Sequence, residues 1–342
     1  MGASVGVFIV NYNGLAALGR DLVRCVESVV SSDYGDKEVF FLDNGSSDGS
    51  PDLVEKLFGG SVRVLRLSRN VGYAGAGRIV ARLSRGFDYV VVMNNDIVVD
   101  RMWLRNAIDV MERFPRIGAA QPLILNPDGS IQSLGCFMGS LGTSCLLGSG
   151  QRMDLDKLGR LDYIPCTYAH GSVVISRARA MSEVGGFDPS YFMYFEEVEY
   201  CLKLWSRGWW VVAIPRSVVY HLGAATVRTF RPRAVKLVSR NHVITIAKMC
   251  RGAVECLPRI ALATAIRVLK TLAISVKNRS PHALHECIQG IVEGIAIGLK
   301  RVRTIEPSPQ LKALTRIFRD ALSLIPQHRR NPCRVEPSGH PH

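Results

Sequence analysis

The 342-residue sequence lacks the cysteine patterns of zinc sites and disulfide frameworks. Its nine cysteines contain no CxxC pair and no regular spacing, so they are expected to be scattered reduced thiols. The first apolar run has strand length and no basic leader, unlike a secretory signal, and a cytoplasmic protein is therefore expected. Apolar residues make up 47% of the chain, which excludes a disordered composition and is sufficient for a large core.

Charge is nearly balanced in the first two thirds of the chain and strongly positive in the last third. Residues 228–342 contain 21 Lys and Arg against six Asp and Glu, and the whole chain has a net charge of +14. Such an excess favours a polyanionic partner, either nucleic acid or an anionic membrane surface. Nucleic acid is disfavoured because stacking aromatics are missing: after Arg231 there is no Trp or Tyr, and the only Phe is Phe318.

The first hundred residues alternate between strand-like and helix-like segments. The continuous apolar run at 5–10 is typical of a strand that is buried on both faces, and further strands are predicted at 38–42, 62–67 and 89–93. The segments between them have helical periodicity. This alternation predicts an α/β domain whose sheet is mostly parallel and flanked by helices.

Periodicity and composition divide the chain into three parts. Residues 1–227 are predicted to form the α/β domain. Residues 228–326 have helical periodicity and are predicted to form a basic, amphipathic helical extension that associates with a membrane. The polar, proline-containing tail at 327–342 is expected to be disordered.

Polar clusters follow three of the predicted strands, at residues 11–13, 43–48 and 94–96. Ligands bind at the carboxyl ends of the strands in sheets of this kind, which is where these clusters fall. A carboxylate such as Asp96 at a strand end can hold Mg²⁺ or Mn²⁺ against a diphosphate. Each cluster by itself is also typical of a polar turn, since Asn and Asp favour turns.

Three carboxylates lie together at the start of a predicted helix: Glu196, Glu197 and Glu199. Negative charge is stabilised at a helix N-terminus. The neighbouring aromatic residues provide an apolar setting, which can raise the pKa of a carboxylate and suits a general base.

Seven segments occur in an informative order: VNYNG at 10–14, DNGSSDGS at 43–50, RNVGYAGAGR at 69–78, NND at 94–96, DGSIQSLG at 128–135, GGFDPSYFMYFEEVEYCLK at 185–203 and HLGAAT at 221–226. Together they resemble the family-2 inverting glycosyltransferases of the GT-A fold, particularly the rhamnosyltransferase-like group. The resemblance covers about residues 5–241.

The resemblance implies a role for each matching position. Glu197 would be the catalytic base, and Asp96 and His221 would bind one divalent cation, Mg²⁺ or Mn²⁺. The nucleotide-sugar site is expected at eight residues: Asn11, Asn13, Asp43, Asn70, Gly72, Asn94, Asn95 and Asp96.

Two positions depart from the family pattern. Asn94 stands where the first Asp of the DxD motif is usual, which removes one negative charge from the metal site. Glu197 replaces the commoner Asp and makes the base one methylene longer. Which of Glu196, Glu197 and Glu199 is the base therefore stays open.

The resemblance further implies an enzyme that transfers a sugar with inversion, by direct displacement. The donor would be a dTDP- or UDP-sugar, with rhamnose as the family-level expectation, and the acceptor a hydroxyl of a glycan or lipid-linked glycan. Acceptor contacts are expected at 133–162, which begins as a Gly- and Ser-rich loop. The alternative is a catalytically inactive relative that serves as a membrane scaffold, which Asn94 and Glu197 motivate.

The segment at 259–277 has the pattern of an interfacial helix. On a helical wheel its cations, Arg259, Arg267, Lys270 and Lys277, share one stripe, and apolar residues cover the rest. A spanning helix would bury Arg267 near its centre, so we expect the helix to lie at the cytoplasmic face of the cell membrane with its cations at the headgroups. The alternative is a helical cap that packs on the catalytic domain.

Overall fold

The computed structural model describes residues 2–223, 232–277 and 281–305, and the predicted disordered tail lies outside these ranges. The strands in them are β1 Val5–Asn11, β2 Lys37–Asp43, β3 Val62–Arg66, β4 Tyr89–Asn94, β5 Ile97–Val99, β6 Ile117–Leu125, β7 Ile131–Ser133, β8 Cys136–Met138, β9 Ser144–Leu146, β10 Ile164–Pro165, β11 Val173–Arg177 and β12 Trp210–His221. The helices are α1 Gly14–Leu18, α2 Arg20–Val30, α3 Ser50–Phe58, α4 Gly72–Leu83, α5 Trp103–Arg113, α6 Leu155–Leu158, α7 Ala178–Val184, α8 Glu196–Ser206, α9 Pro232–Met249, α10 Ala253–Lys277 and α11 Pro281–Gly298.

The main sheet has the strand order β10–β12–β6–β11–β4–β1–β2–β3, with β5 added beside β12 and β7 beside β6. Strands β3, β2, β1 and β4 are parallel, whereas β11 is antiparallel to both of its neighbours. Strand β12 is parallel to β6. The predicted α/β class with a mostly parallel sheet is confirmed.

Strand β1 lies between two hydrophobic cores. Phe8 and Val10 belong to one core, while Val7 and Ile9 belong to the other, as the two-residue period of a strand requires. All seven residues of β1 are buried. Burial on both faces explains why this strand is a continuous apolar run in the sequence.

The Gly- and Ser-rich segment predicted as a loop contains regular structure. Strands β8 and β9 pair as an antiparallel hairpin, and Cys136 bridges to Tyr168. The tip of the hairpin contacts the C-terminal helices, because the Arg259 guanidinium donates to the Ser140 carbonyl and His242 contacts the Leu141 carbonyl at 2.8 Å.

Helices α9, α10 and α11 confirm the helical periodicity predicted beyond residue 228. They pack around a hydrophobic core of their own, which includes Val243, Ile260 and Ile291. Helix α11 approaches α9 through glycine: a Cβ at Gly294 would lie 2.6 Å from the Arg240 carbonyl oxygen.

The close approach of α11 and α9 predicts that Gly294→Ala destabilises the protein. The added methyl group meets backbone atoms that cannot rotate away, and overpacking of this kind costs about 1–3 kcal/mol. Gly252→Ala is the matched control, because a Cβ there meets nothing within 4 Å. Thermal unfolding of the two variants measures the difference. Equal stability of both variants would contradict this packing.

The orientation predicted for the cationic stripe of α10 is wrong. The Arg259 guanidinium contacts Glu255 at 2.7 Å and the Ser140 carbonyl at 2.6 Å, and Arg267 Nε contacts His242 Nδ1 at 3.1 Å. These two cations therefore face the rest of the protein, while Leu269 and Val276 are 65% and 73% exposed. Among the described residues, no helix is long and apolar enough to cross a membrane.

Candidate functional site

Three predicted site residues meet because their strands are neighbours. Asn11 ends β1 and is in register with Asp43 at the end of β2, and Asn94 at the end of β4 is in register with Val10. Parallel strands bring their carboxyl ends to one edge of the sheet. The polar clusters predicted at strand ends are therefore adjacent in space.

Asn11 joins the ends of β1, β2 and β4 by hydrogen bonds. Its side-chain NH₂ donates to Asp43 Oδ1 at 3.0 Å and to Ser46 Oγ at 3.1 Å. Its carbonyl oxygen accepts from the Asn95 amide at 2.7 Å. The Ser46 backbone N–H donates to Asp43 Oδ2 at 3.0 Å, so both carboxylate oxygens of the buried Asp43 are fixed in place.

Asn13 and Asn70 shape the loops beside this network. The Asn13 side-chain oxygen accepts from the Ser47 N–H at 2.9 Å, and Asn70 accepts from the Gly72 N–H at 2.8 Å. Asn44, which the sequence interpretation did not single out, donates to Asn70 Oδ1 at 3.2 Å. A Cβ at Gly72, whose φ is +77°, would clash with the Phe192 carbonyl oxygen. Gly72 therefore permits α4 to start directly beside the loop that precedes α8.

Asp96 and His221 meet because β5 pairs with the end of β12. His221 is in register with Ile97, and the Leu222 N–H donates to the Asp96 carbonyl at 2.9 Å. As a result His221 Nε2 lies 3.2 Å from Asp96 Oδ2. The two predicted metal ligands are thus brought together, although they are 125 residues apart in sequence.

The contact between His221 and Gln132 indicates what Asp96 and His221 can bind together. Gln132 Oε1 lies 2.8 Å from His221 Nδ1, and a carbonyl oxygen can only accept, so Nδ1 carries a hydrogen. In a neutral imidazole Nε2 then presents a lone pair toward the carboxylate of Asp96. Two facing acceptors suit a shared proton or a small cation. A metal-bound histidine usually donates the N–H of its other ring nitrogen to an acceptor such as the Gln132 oxygen.

The pair does not form a complete metal cage. Over residues 2–223, 232–277 and 281–305, no group of three or more His, Cys, Asp and Glu side chains could hold a metal ion. Mg²⁺ and Mn²⁺ sites that bind nucleotides typically use one or two protein ligands, with phosphate oxygens completing the shell. The donor set of Asp96 and His221 fits such a cation.

His170 is a further histidine beside this pair that the sequence interpretation missed. Its ring lies 6.2 Å from that of His221, and its Nδ1 is 2.8 Å from Ser172 Oγ. Burial, reinforced by the neighbouring His221, lowers the pKa of His170 to about 3. His170 is therefore neutral near pH 7.

The loop before α8 has an unusual backbone. Phe192, Tyr194 and Phe195 have φ values of 63°, 71° and 68°. Such left-handed conformations cost non-glycine residues roughly 1–3 kcal/mol each and are concentrated at functional sites. We call residues 191–195 the base loop, because it places Glu196 and Glu197 at the first turn of α8.

The three glutamates of α8 have three different environments. Burial raises the pKa of Glu197 to about 7, an effect that the backbone N–H groups of Glu197 and Val198 partly offset. Burial raises the pKa of Glu196 well above its usual value, and the charge of Glu197 raises it further. Glu199 is held by Lys248 Nζ at 2.7 Å and Lys203 Nζ at 3.1 Å.

Tyr73, which the sequence interpretation also missed, lies beside Gly171, next to Glu197. Its hydroxyl donates to the Gly171 carbonyl at 2.8 Å, and a Cβ at Gly171 would lie 3.3 Å from the Glu197 carboxyl carbon. Burial raises the pKa of Tyr73 well above its usual value, and the charges of Glu196, Glu197 and Asp96 raise it further. The carboxylates of Glu197 and Asp96 therefore both lie within electrostatic range of the Tyr73 hydroxyl.

Two family models match the chain. "Glycosyl transferase family 2" matches residues 6–133, and "Glycosyl transferase family group 2" matches residues 89–237. The matched ranges include the strand ends, the Asp96–His221 pair and the three glutamates of α8.

Among curated proteins, the chain is similar to the N-acetylglucosaminyl-diphospho-decaprenol L-rhamnosyltransferase of Mycobacterium tuberculosis. The two are 32% identical over 222 residues, which cover 59% of this chain and 72% of the relative. A hexosyltransferase of low-salt glycan biosynthesis from Haloferax volcanii is 24% identical over 207 residues, covering 58% of this chain and 61% of that protein.

Solved structures show the same fold at low sequence identity. GalNAc-T7, crystallised with UDP, GalNAc and Mn²⁺, has a TM-score of 0.57 at 18% identity, over 73% of this chain and 48% of that one. The mannosyltransferase PcManGT of Pyrobaculum calidifontis, in complex with GDP-Man and Mn²⁺, has a TM-score of 0.53 at 15% identity, over 95% of this chain and 81% of that one. The fold is the GT-A fold. The chain belongs to the family 2 glycosyltransferases and is similar to a rhamnosyltransferase.

Proposed function

We propose that the chain transfers a sugar from a nucleotide-diphosphate donor to an acceptor hydroxyl, with Glu197 as the general base. The observation that carries the proposal is that Glu197 lies against Gly171, which accepts from the Tyr73 hydroxyl, and that the charge of Asp96 also reaches this hydroxyl. A carboxylate with a pKa of about 7 is poised to accept a proton near neutral pH.

Glu197 suits this role better than its two neighbours. Burial and the charge of Glu197 raise the pKa of Glu196 well above its usual value, which disfavours the charged form that a base needs. Glu199 is buried and held by two lysines, which suits an anchor for the helix. Glu197 is largely buried, and its burial places its pKa at about 7, near the pH of the cell.

Asp96 and His221 would hold a divalent cation, and its charge would stabilise the diphosphate that leaves the sugar. Two structural neighbours were solved with Mn²⁺, which supports this choice. The network of Asn11, Asp43 and Asn95 would bind the nucleotide, with Asn13, Asn70, Gly72 and Asn94 lining the cleft. Glu197 would take the acceptor hydroxyl proton as that oxygen attacks the anomeric carbon from the face opposite the diphosphate, which inverts its configuration.

The name of the mycobacterial relative supports a rhamnose-like donor and a lipid-linked acceptor. We propose a dTDP-sugar as the first donor to test and a UDP-sugar as the second. A thermal-shift panel of nucleotide sugars with Mn²⁺ identifies the donor, since a ligand at 100 times its Kd stabilises a protein by about 2.7 kcal/mol. An inactive scaffold would release no nucleoside diphosphate from the donor that it binds.

We also propose that the C-terminal helices bind the cytoplasmic face of an anionic membrane. The outward face of α10 is apolar along its length, with exposed Val254, Leu257, Leu262, Leu269 and Val276. Exposed apolar patches of this extent typically mark interaction sites. The exposed residues Ile288 and Val292 of α11, and Leu299 directly after it, extend the apolar surface.

Charge around this apolar face favours lipid over a protein partner. Lys270 of α10 and Lys300, just after α11, are exposed, and residues 228–342 contain 21 Lys and Arg against six acidic residues. Each Lys or Arg near an anionic surface contributes about 1 kcal/mol. A lipid-linked acceptor would make this placement useful, because it would bring the active site to the acceptor.

This proposal predicts that Leu262→Glu combined with Leu269→Glu abolishes flotation with anionic liposomes at low salt. Two carboxylates on the apolar face oppose both its burial and the negative lipid. Leu57→Glu is the matched control, because Leu57 is an exposed leucine on α3, outside this face. The control should float like the wild type, and high salt should weaken the liposome binding of both proteins.

Failure of the wild-type chain to float at low salt would contradict the proposal. Resistance to both salt and alkaline carbonate would indicate a spanning segment instead. Conversion of a dimer to a monomer by the double variant, with liposome binding unchanged, would assign the face to a second copy of the chain.

A further inference from the structure

We propose that Asn241 of α9, assisted by Arg240, is a positioning residue that holds the base loop and thereby fixes Glu197. This inference rests on the proposed role of Glu197. Both residues lie beyond the ranges that the two family models match, which end at residue 237.

The base loop requires external support because its backbone is strained. Phe192, Tyr194 and Phe195 all have left-handed φ values without being glycine. Strain of this kind persists only where the surrounding structure opposes relaxation. The hydrogen bonds of the loop carbonyls identify what opposes it.

Asn241 supplies most of this support. Its fully buried side-chain NH₂ lies 2.9 Å from the Tyr191 carbonyl oxygen, 2.8 Å from that of Met193 and 2.7 Å from that of Tyr194. One amide thus contacts three of the five carbonyls of the loop. Arg240 adds contacts to the carbonyls of Ser190 at 3.1 Å and Tyr191 at 2.9 Å.

The two remaining carbonyls of the loop are satisfied by the helices on either side. The Phe192 carbonyl accepts from the Ala74 N–H of α4 at 3.0 Å, and that of Phe195 accepts from the Glu199 N–H of α8 at 2.9 Å. Every carbonyl of residues 190–195 therefore has a donor. Since buried carbonyls must be paired, loss of Asn241 would leave Met193 and Tyr194 without these partners and allow the loop to rearrange.

The same face of α9 also contacts the first turn of α8 and the segment that precedes it. Thr245 Oγ1 lies 3.0 Å from the Tyr191 hydroxyl, and Lys248 Nζ donates to Glu199 at 2.7 Å and to Asp188 at 2.8 Å. Asn241, Thr245 and Lys248 are spaced along one side of the helix. Helix α9 therefore holds the loop before α8 and the first turn of α8 itself, while Glu197 is left to face Tyr73 and Gly171.

The test replaces Asn241 by leucine, which keeps the volume and removes the donors. Misplacement of a catalytic group by about 1 Å costs up to ~10²-fold. We expect kcat to fall by about 10- to 100-fold with the donor KM unchanged, because the nucleotide residues lie on other elements. Hydrogen exchange of residues 191–197 should become faster, a readout that does not depend on activity.

Ile291→Ala is the matched control for stability. Ile291 is buried in the core of the C-terminal helices, and its truncation leaves a cavity there without touching the base loop. It should lower Tm while kcat and exchange of residues 191–197 remain as in the wild type. Arg240→Met provides a second, milder variant, with the same direction of change, if Asn241→Leu does not fold.

The outcomes separate this inference from the proposed function. Wild-type kcat and unchanged exchange in Asn241→Leu, or in Arg240→Met, would overturn the positioning role alone, provided that Glu197→Gln has lost turnover. An equal kcat loss in Ile291→Ala would also overturn it, because the effect would then be general destabilisation. Full turnover of Glu197→Gln would instead reject the base on which the inference rests.

Discussion

Glu197→Gln is expected to lower turnover by at least ~10²-fold, the usual scale for a lost general base. Glutamine has the same shape but cannot accept the proton of the acceptor hydroxyl. The nucleotide should still bind, because Asp43 at the end of β2 and Asp96 between β4 and β5 lie on other elements than Glu197. Single-turnover kinetics measure the first effect, and calorimetric titration with the nucleoside diphosphate measures the second.

Glu199→Gln is the comparison that tests the choice among the glutamates. It removes the charge that Lys248 and Lys203 hold, so a lower Tm is expected. Its turnover should fall less than that of Glu197→Gln. If Glu199→Gln shows the large loss and Glu197→Gln does not, the base has been assigned to the wrong residue.

The pH dependence of the wild type provides a second test of the base. Burial places the pKa of Glu197 at about 7, instead of the usual 4.5. A base must be deprotonated to act, and a raised pKa keeps it protonated over a wider range of low pH. The rate should therefore fall about tenfold per pH unit well below 7 and be constant above it. A pH–rate profile whose acidic side falls with an apparent pKa near 4.5 would contradict a buried base.

Asp96→Ala is expected to lose nearly all transfer while the fold remains intact. Asp96 and His221 Nε2 are 3.2 Å apart, and the substitution removes the charged oxygens of the predicted cation site. Loss of one group that stabilises developing charge typically costs ~10²–10³-fold. Chelator should abolish wild-type turnover, and Mn²⁺ should restore it.

Gln132→Leu is a milder variant that tests the same predicted cation site. It leaves Asp96 and His221 in place and removes the oxygen that orients the imidazole. Loss of such an outer partner typically weakens metal affinity by 10- to 100-fold. The variant should therefore require more Mn²⁺ for half-maximal activity. Full activity of Asp96→Ala, or undiminished wild-type turnover in chelator, would reject the metal role.

The first half of the fold could be predicted because its signals are local. Strands β1, β2 and β4 are buried on both faces and therefore appear as continuous apolar runs. Their polar ends meet once the strands are parallel, so the adjacency of Asn11, Asp43 and Asn94 follows from topology. The assignment of Glu197, Glu196 and Glu199 as catalytic, and of the eight nucleotide-sugar residues, stays a prediction.

The contact between Asp96 and His221 could not be derived from local pattern. It depends on β5 pairing with the last residues of β12, which are more than a hundred positions away. The apolar pattern of β12 is not continuous either, because the bulge between Ile214 and Val218 interrupts it. The family resemblance, and not periodicity, identified this pair.

Tyr73, Gln132, His170 and Asn44 were missed because each is an ordinary residue in its local context. Tyr73 lies among small residues at the start of α4, and only the fold brings it within range of the charges of Glu197 and Asp96. The same holds for Arg240 and Asn241, which the periodicity of α9 identifies merely as helical. Long-range contacts determine these roles.

The error in the orientation of α10 has a physical cause. A helical wheel shows which residues share a face but not which face packs inward. Arg259 and Arg267 found acceptors within the protein, at Ser140, Glu255 and His242. Their long apolar stems can pack against the protein while the guanidinium groups are satisfied. The apolar side of α10 was consequently left on the surface.

Release of nucleoside diphosphate from a panel of nucleotide sugars, measured with Mn²⁺ and with chelator, tests the central claim most directly. Glycosyl transfer at this site predicts release from one donor that requires Mn²⁺, stops in chelator and falls by at least ~10²-fold in Glu197→Gln. Absence of release from every donor in the presence of membranes that supply lipid-linked acceptors would contradict it. Equal release by the wild type and Glu197→Gln would contradict it as well.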